Sequence, residues 1–324
     1  MIIILTLAAI GIGVLLGWSA GAFEDAPEPQ ATKTTFIPMA PIATEPAPTT
    51  TPANPGSTTI APPSSTTTVP APVGSDAVQT EWDLVFADEF EGDSLGEAWV
   101  TCYWWAQDSG CTNGSNGNLQ WYLPDGVSVE DGTLRLIARA EDVAAPDGAD
   151  YEDVSGIVTT GSDRDDGPIG FSFEYGYVEA RMRVPSGTGL WPALWMLPIT
   201  HESRPEIDIM EVLGHAPNTV EMHMHVLDSS GERVSVGSEW TGPDLSAGWH
   251  TYAVDWSPDR VIWYVDGEER WRTSDPELVP AEPLYLIANL AVGGEWPGSP
   301  NPDTEFPAVF EIDYVRVWQE RTTR

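Results

Sequence analysis

Beyond about residue 80, the chain predicts an all-β sandwich or jelly roll. Three observations carry this. Short runs of β-favouring residues recur between Gly, Pro, Asp and Asn. Almost no segment shows a helical period, and no internal repeat is apparent. The 324 residues are 41% hydrophobic with 15 Trp, enough for one substantial core. All-β sandwiches of about 200–250 residues commonly form a single domain.

The elements follow in order. Leu84-Val85-Phe86 opens the series, followed by residues 133–138 and 176–184. Val261-Ile262-Trp263-Tyr264-Val265 then runs into Asp266-Gly267, the residue pair of a tight hairpin turn. Residues 284–292 and 310–318 complete it, so we place the folded domain at 80–320. Ahead of it, residues 1–22 are almost wholly apolar and end in Ala20-Gly21-Ala22, which fits a signal-peptidase site. The run is also nearly long enough to span a bilayer, so a cleaved signal peptide and a retained anchor both stay open. Residues 23–79 are rich in Pro, Thr and Ala without a periodic apolar face, the composition of a disordered linker. This order predicts an extracellular protein, secreted or tethered to the outer cell surface. Any membrane attachment would run through the N-terminal segment alone.

The formal net charge is −36, and Lys33 is the only lysine. Nucleic acid and anionic membranes are therefore poor partners, and a glycan substrate should be neutral. Cys102 and Cys111 are the only cysteines; their spacing permits a local disulfide, and two free thiols stay open.

One strand concentrates the chemistry: Pro205-Glu206-Ile207-Asp208-Ile209-Met210-Glu211-Val212. Alternation puts Glu206 and Asp208 on one face. A regular strand would continue that face with Met210 and turn Glu211 into the core, where an unpaired carboxylate is costly. One extra residue near Met210, a β-bulge, returns Glu211 to its partners. Glu206 and Glu211 then lie roughly 13 Å apart at Cα. Leaning side chains could bring the carboxyls to about 5–6 Å, the separation of a retaining glycosidase pair.

Two neighbouring segments add to this. Trp191 and Trp195 sit an even number apart, so an extended segment sends both to one face, where indoles can stack on sugar rings. Glu221, His223 and His225 likewise share a strand face. Two histidines at that spacing fall short of zinc's ligand demand, and a hydrogen-bonding role beside the carboxylates fits at least one of them better.

These residues resemble glycoside hydrolase family 16. Glu206-Ile207-Asp208-Ile209-Met210-Glu211 is similar to the bulged active-site signature of laminarinase-like endo-β-1,3-glucanases. The likeness covers about residues 82–319 and includes Asn118-Leu119-Gln120-Trp121-Tyr122, Asn289 to Gly294, Trp296-Pro297-Gly298 and Asp313-Tyr314-Val315-Arg316-Val317. It implies a concanavalin-like β-jelly roll of two antiparallel sheets with an open concave cleft. It also implies a retaining endo-hydrolase of neutral β-1,3-glucan, with Glu206 as nucleophile, Glu211 as acid/base and Asp208 between them. Trp191, Trp195, Asn118 and His225 fall where the family contacts sugar. Glu89, the Gly132 carbonyl and Asp313 match a structural calcium site, while catalysis needs no cofactor. One departure is Ile157, which stands where many members carry arginine. Agarase-like and mixed-linkage β-1,3-1,4 activities, transglycosylation and non-catalytic glucan binding are the rival readings. A monomer is the default for a tethered, open-cleft hydrolase.

Overall fold

The computed structural model describes residues 35–36, 81–106, 110–146 and 148–321. The 1–22 segment and nearly all of the 23–79 linker lie outside the described residues. Thr35–Phe36 is the exception: instead of belonging to an unpaired tether, it forms a two-residue strand beside Val236 and Gly237.

Two sheets make up the rest. The seven-stranded sheet runs β1 (Thr35–Phe36), β12 (Arg233–Thr241), β11 (Thr219–Leu227), β10 (Glu206–Glu211), β9 (Leu190–Pro198), β16 (Leu284–Val292) and β7 (Ile157–Thr159). The ten-stranded sheet runs β15 (Glu268–Thr273), β14 (Arg260–Val265), β13 (His250–Ser257), β8 (Gly176–Arg183), β17 (Ala308–Glu320), β5 (Thr133–Ala144), β6 (Asp150–Ser155) and β3 (Gln120–Tyr122). Off that path, β2 (Trp82–Asp88) adds to β17 and β4 (Val127–Glu130) to β5. Every pairing is antiparallel except β1 with β12 and β3 with β6. The expected Asp266-Gly267 turn closes the β14–β15 hairpin with φ of 54° and 74°, as a turn with two left-handed residues requires.

Alternation explains the core. Val178, Ala180 and Met182 of β8 point inward, and Glu179, Arg181 and Arg183 point out. Opposite them, Ile207, Ile209 and Met210 of β10 and Met222 and Met224 of β11 fill the space between the sheets. Each such buried side chain contributes about 1.5–3 kcal/mol of transfer free energy. β16 is buried along its whole length, as an inner strand covered on both faces must be.

A smaller apolar cluster lies apart from that core. Tyr103, Trp121, Tyr122, Ile157, Trp195, Tyr285 and Ile287 pack together beneath the chain around residues 101–123. The Cys102–Cys111 disulfide, with Cα atoms 5.5 Å apart, closes that stretch. Ile157, the residue standing in for arginine, is fully buried there and takes a packing role.

The bulge sits where the alternation demands it. Register with β9 shifts between Asp208 and Met210, and register with β11 shifts between Asp208 and Glu211. Met210 is thereby fully buried in the core, and Glu211 rejoins the outer face. At the shift, Trp263 Nε1, from β14 of the other sheet, donates to the Asp208 carbonyl at 2.8 Å. A core indole thus satisfies the backbone where the ladder is disturbed.

Candidate active site

Three adjacent strands build the site. β10 supplies Glu206, Asp208 and Glu211, and β9 places Trp195 directly across from Asp208. From the other side, β11 sets His225 across from Glu206, His223 across from Asp208 and Glu221 across from Glu211. The three carboxyls gather tightly: Asp208 has an oxygen within 4.8 Å of a Glu206 oxygen and an oxygen within 4.8 Å of a Glu211 oxygen.

Each acid has a distinct environment. Glu211 is 7% exposed and is held at both oxygens: Trp191 Nε1 donates to Oε1 at 3.1 Å, and His223 Nδ1 lies 3.0 Å from Oε2. Glu206 keeps a quarter of its side chain open, with His225 Nε2 3.8 Å from Oε1. Asp208 is 3% exposed, and its Oδ2 has no hydrogen-bond partner, although His225 Nε2 lies 3.3 Å away.

Among the described residues no arginine or lysine forms an ion pair with this cluster, and the charge of Arg204 is the smallest of the influences on Glu206 and Asp208, so burial and mutual repulsion dominate. Burial first, then the charge of Asp208, pushes Glu206 up to about 8. Burial and Glu211 push Asp208 well above the carboxylate range. Burial also raises Glu221. His223 titrates above its ordinary value: burial opposes its charge, but the hydrogen bond and negative charge of Glu211 outweigh that. Glu206 and Asp208, both raised and close together, do not both ionise near neutrality.

The remaining candidates divide. Trp191 is half-buried beside Glu211, and its ring meets that of Trp296 edge-on at 5.3 Å. Trp195 is only 9% exposed, and its Nε1 donates to Asn289 Oδ1 at 2.7 Å. It therefore forms part of the floor instead of the exposed stacking platform that the sequence suggested. Asn118 does not reach the acids; its Nδ2 donates to the Gly293 carbonyl at 3.1 Å and braces the 293–298 loop. That loop carries Trp296, which is 41% exposed and lies 5.8 Å from the His223 ring. His225 lies beside Glu206 and Asp208, its Nδ1 2.6 Å from Ser235 Oγ.

The His223–Glu211 contact is the hydrogen-bonding role beside the carboxylates that the sequence suggested for at least one histidine, whereas the placing of Trp296 beside Trp191 and the Tyr103–Trp105 stack at 4.0 Å beside Trp195 were not foreseen. The alternation Glu221-x-His223-x-His225 was a usable signal for the first. The other two depend on loops whose course no local pattern specifies.

The calcium ligands fare differently. Strand register brings Glu89, Gly132 and Asp313 toward the middle of β17. Their carboxylates, however, are already engaged. Arg316 donates to both Glu89 oxygens at 2.8 and 2.7 Å, and Arg181 donates to Asp313 at 2.7 Å. The residues as arranged do not fit a cation.

A family model described as "Glycosyl hydrolases family 16" matches residues 150–316. An endo-1,3-1,4-β-glycanase of Rhizobium meliloti is 33% identical over 247 residues, covering 72% of this chain and 51% of that protein. A glucan endo-1,3-β-glucosidase of Niallia circulans is 32% identical over 265 residues, covering 74% of this chain and 38% of that protein. The chain thus spans about half or less of the length of these relatives. Among solved structures, an endo-β-1,3-glucanase from Pyrococcus furiosus superposes with a TM-score of 0.69 at 33% identity. That match covers 79% of this chain and all of the other.

Proposed function

The chain belongs to family 16 of the glycosyl hydrolases, and from that premise we propose that it cleaves internal β-1,3-glucosidic bonds of a neutral β-glucan with retention. The observation that carries this is the bulge at Ile209–Met210, which gathers Glu206, Asp208 and Glu211 on one face. In the first step, Glu206 attacks the anomeric carbon and the glycosidic C–O bond breaks. Glu211 gives its proton to the departing oxygen. In the second, water attacks the same carbon, the bond to Glu206 breaks, and Glu211 takes the water's proton.

Asp208 keeps Glu206 usable. Burial raises Glu206 most, and a proton held on Asp208 removes the next largest cause, its negative charge, which favours the ionised Glu206 that attacks. Trp191 and His223, by gripping both oxygens of Glu211, fix the direction in which it offers its proton. The exposed indole of Trp296 beside Trp191 suits stacking on a sugar ring next to the scissile bond.

The disulfide supports work in an oxidising compartment outside the cytosol, in keeping with the exported and tethered organisation read from the sequence. The test is digestion of a panel of β-1,3-, mixed-linkage and galactan polymers, with product anomers followed by NMR. Retained β-products from β-1,3-glucan are expected. Inverted first-formed anomers would refute the mechanism, and release only from mixed-linkage polymer would refute the substrate.

A further inference from the structure

One contact within the acid cluster has no explanation in the hydrolytic scheme. His225 Nδ1 lies 2.6 Å from Ser235 Oγ. A neutral imidazole that donates from Nδ1 to this hydroxyl turns the bare lone pair of Nε2 toward the acids. There it meets Asp208 Oδ2 at 3.3 Å and Glu206 Oε1 at 3.8 Å. Asp208 Oδ2 is buried with no hydrogen-bond partner. When both carboxyls are ionised and His225 holds that tautomer, acceptors face one another across a small gap, an arrangement that a cation taking the place of the cluster's proton would relieve.

The spacing suits a particular kind of ion. Metal–nitrogen and metal–oxygen bonds of about 2.0–2.2 Å in a tetrahedron put neighbouring ligand atoms about 3.3–3.6 Å apart. The three atoms lie within 4.8 Å of one another, and the two histidine distances bracket that edge. A ligating histidine usually donates its far N–H to an oxygen acceptor that fixes the ring, and here the Ser235 hydroxyl stands in that place. One imidazole with two carboxylates favours zinc(II)-like borderline cations over calcium or magnesium, which prefer all-oxygen cages. The net charge of −36 raises the local concentration of any cation.

A second triad, Asp208–Glu211–His223, is also close-set. It fits less well, because His223 Nδ1 already engages Glu211 and all three residues are buried. In the first triad, Glu206 and His225 each keep a quarter of the side chain open, which provides an entry path. Sequence reasoning discounted zinc because β11 alone offers too few ligands. The neighbouring β10 supplies the rest.

We propose that Glu206, Asp208 and His225 bind one zinc(II)-class divalent cation, with Ser235 orienting the histidine. Because Glu206 is also the residue that would attack the sugar, ion and substrate compete, and the bound ion acts as a reversible inhibitor. The competition rests on the proposed hydrolytic role, whereas the binding itself does not.

The experiment is calorimetric titration of ZnCl2 into the full chain without a histidine tag, with CaCl2 and MgCl2 in parallel. One zinc per chain is expected, with no comparable calcium or magnesium binding. Ser235→Ala should weaken zinc about 10-fold, since it removes only the outer support. His225→Ala and His225→Asn, checked for native near-UV dichroism, should lose the site. The assignment is overturned if the wild type shows no binding up to about 1 mM. It is equally overturned if both His225 variants bind as tightly as wild type, or if His223→Asn loses the ion while His225→Asn keeps it. Inhibition by zinc should then disappear in excess β-1,3-glucan. Persistent inhibition with intact binding would overturn the competition while leaving the site in place.

Discussion

The outer faces of the two sheets treat the same residue types in opposite ways. On the ten-stranded sheet a row of acids is matched by arginines: Glu89 pairs with Arg316, Asp313 with Arg181, and Glu311 with Arg183 and Arg135. On the seven-stranded sheet Glu206, Asp208 and Glu211 share one patch beside two histidines and the Trp191 indole, with no arginine ion pair among the described residues. Charge is therefore stabilised on one face and suppressed on the other. A chain this poor in cations spends its arginines on structure and leaves the reactive strand electrostatically frustrated.

The largest expected effect concerns turnover. Glu206→Gln should lower kcat on β-1,3-glucan by roughly 10⁴-fold or more, measured by reducing-sugar release. Near-wild-type turnover would take the nucleophile role from Glu206. The same variant should show the opposite sign in stability. Folding raises Glu206 from 4.5 to about 8, so the folded state holds its proton more tightly across that window. The contribution of this group to stability therefore falls as pH rises from about 4.5 to 8. Each pH unit is worth at most about 1.4 kcal/mol. With a quarter of the side chain open to water, we expect Glu206→Gln to be about 2–3 kcal/mol more stable than wild type at pH 8. The two should match at pH 4, and urea melts at both values check this.

Glu89→Gln, on the other face, should do the reverse. It strands the Arg316 guanidinium, which is 8% exposed. A fully buried orphan costs about 3–5 kcal/mol. Because a third of the Glu89 side chain meets solvent, a loss of about 1–2 kcal/mol is expected. A stabilised Glu89→Gln would erase the contrast between the faces. The smallest effect is calcium: with both acids engaged by arginine, adding calcium or EDTA should move Tm by less than about 1 °C. A shift of several degrees would mean that the ion displaces the arginines.

Much of this was legible from the residues. The spacing of Glu206, Asp208 and Glu211 required a bulge, because the alternative buried a charge, and the register shift falls where that argument put it. The strand at 284–292 was readable as a largely apolar run, broken by Asn289. What stayed hidden depends on contacts distant in sequence. Trp195 looked like a sugar platform, yet Asn289, 94 residues on, claims its indole N–H. Glu89 and Asp313 were read as cation ligands, but only the folded β8 and β17 reveal which arginines reach them. His223 and His225 were equivalent by alternation. Their partners differ because the bulge changes which acid each one faces.

The Trp263–Asp208 bond carries one last implication. The irregular strand is buttressed from behind by the opposite layer, so a lineage cannot straighten it by local edits alone. Residues that never approach a sugar thereby become custodians of the reaction, and random mutagenesis should find inactivating changes deep in the second layer, around position 263.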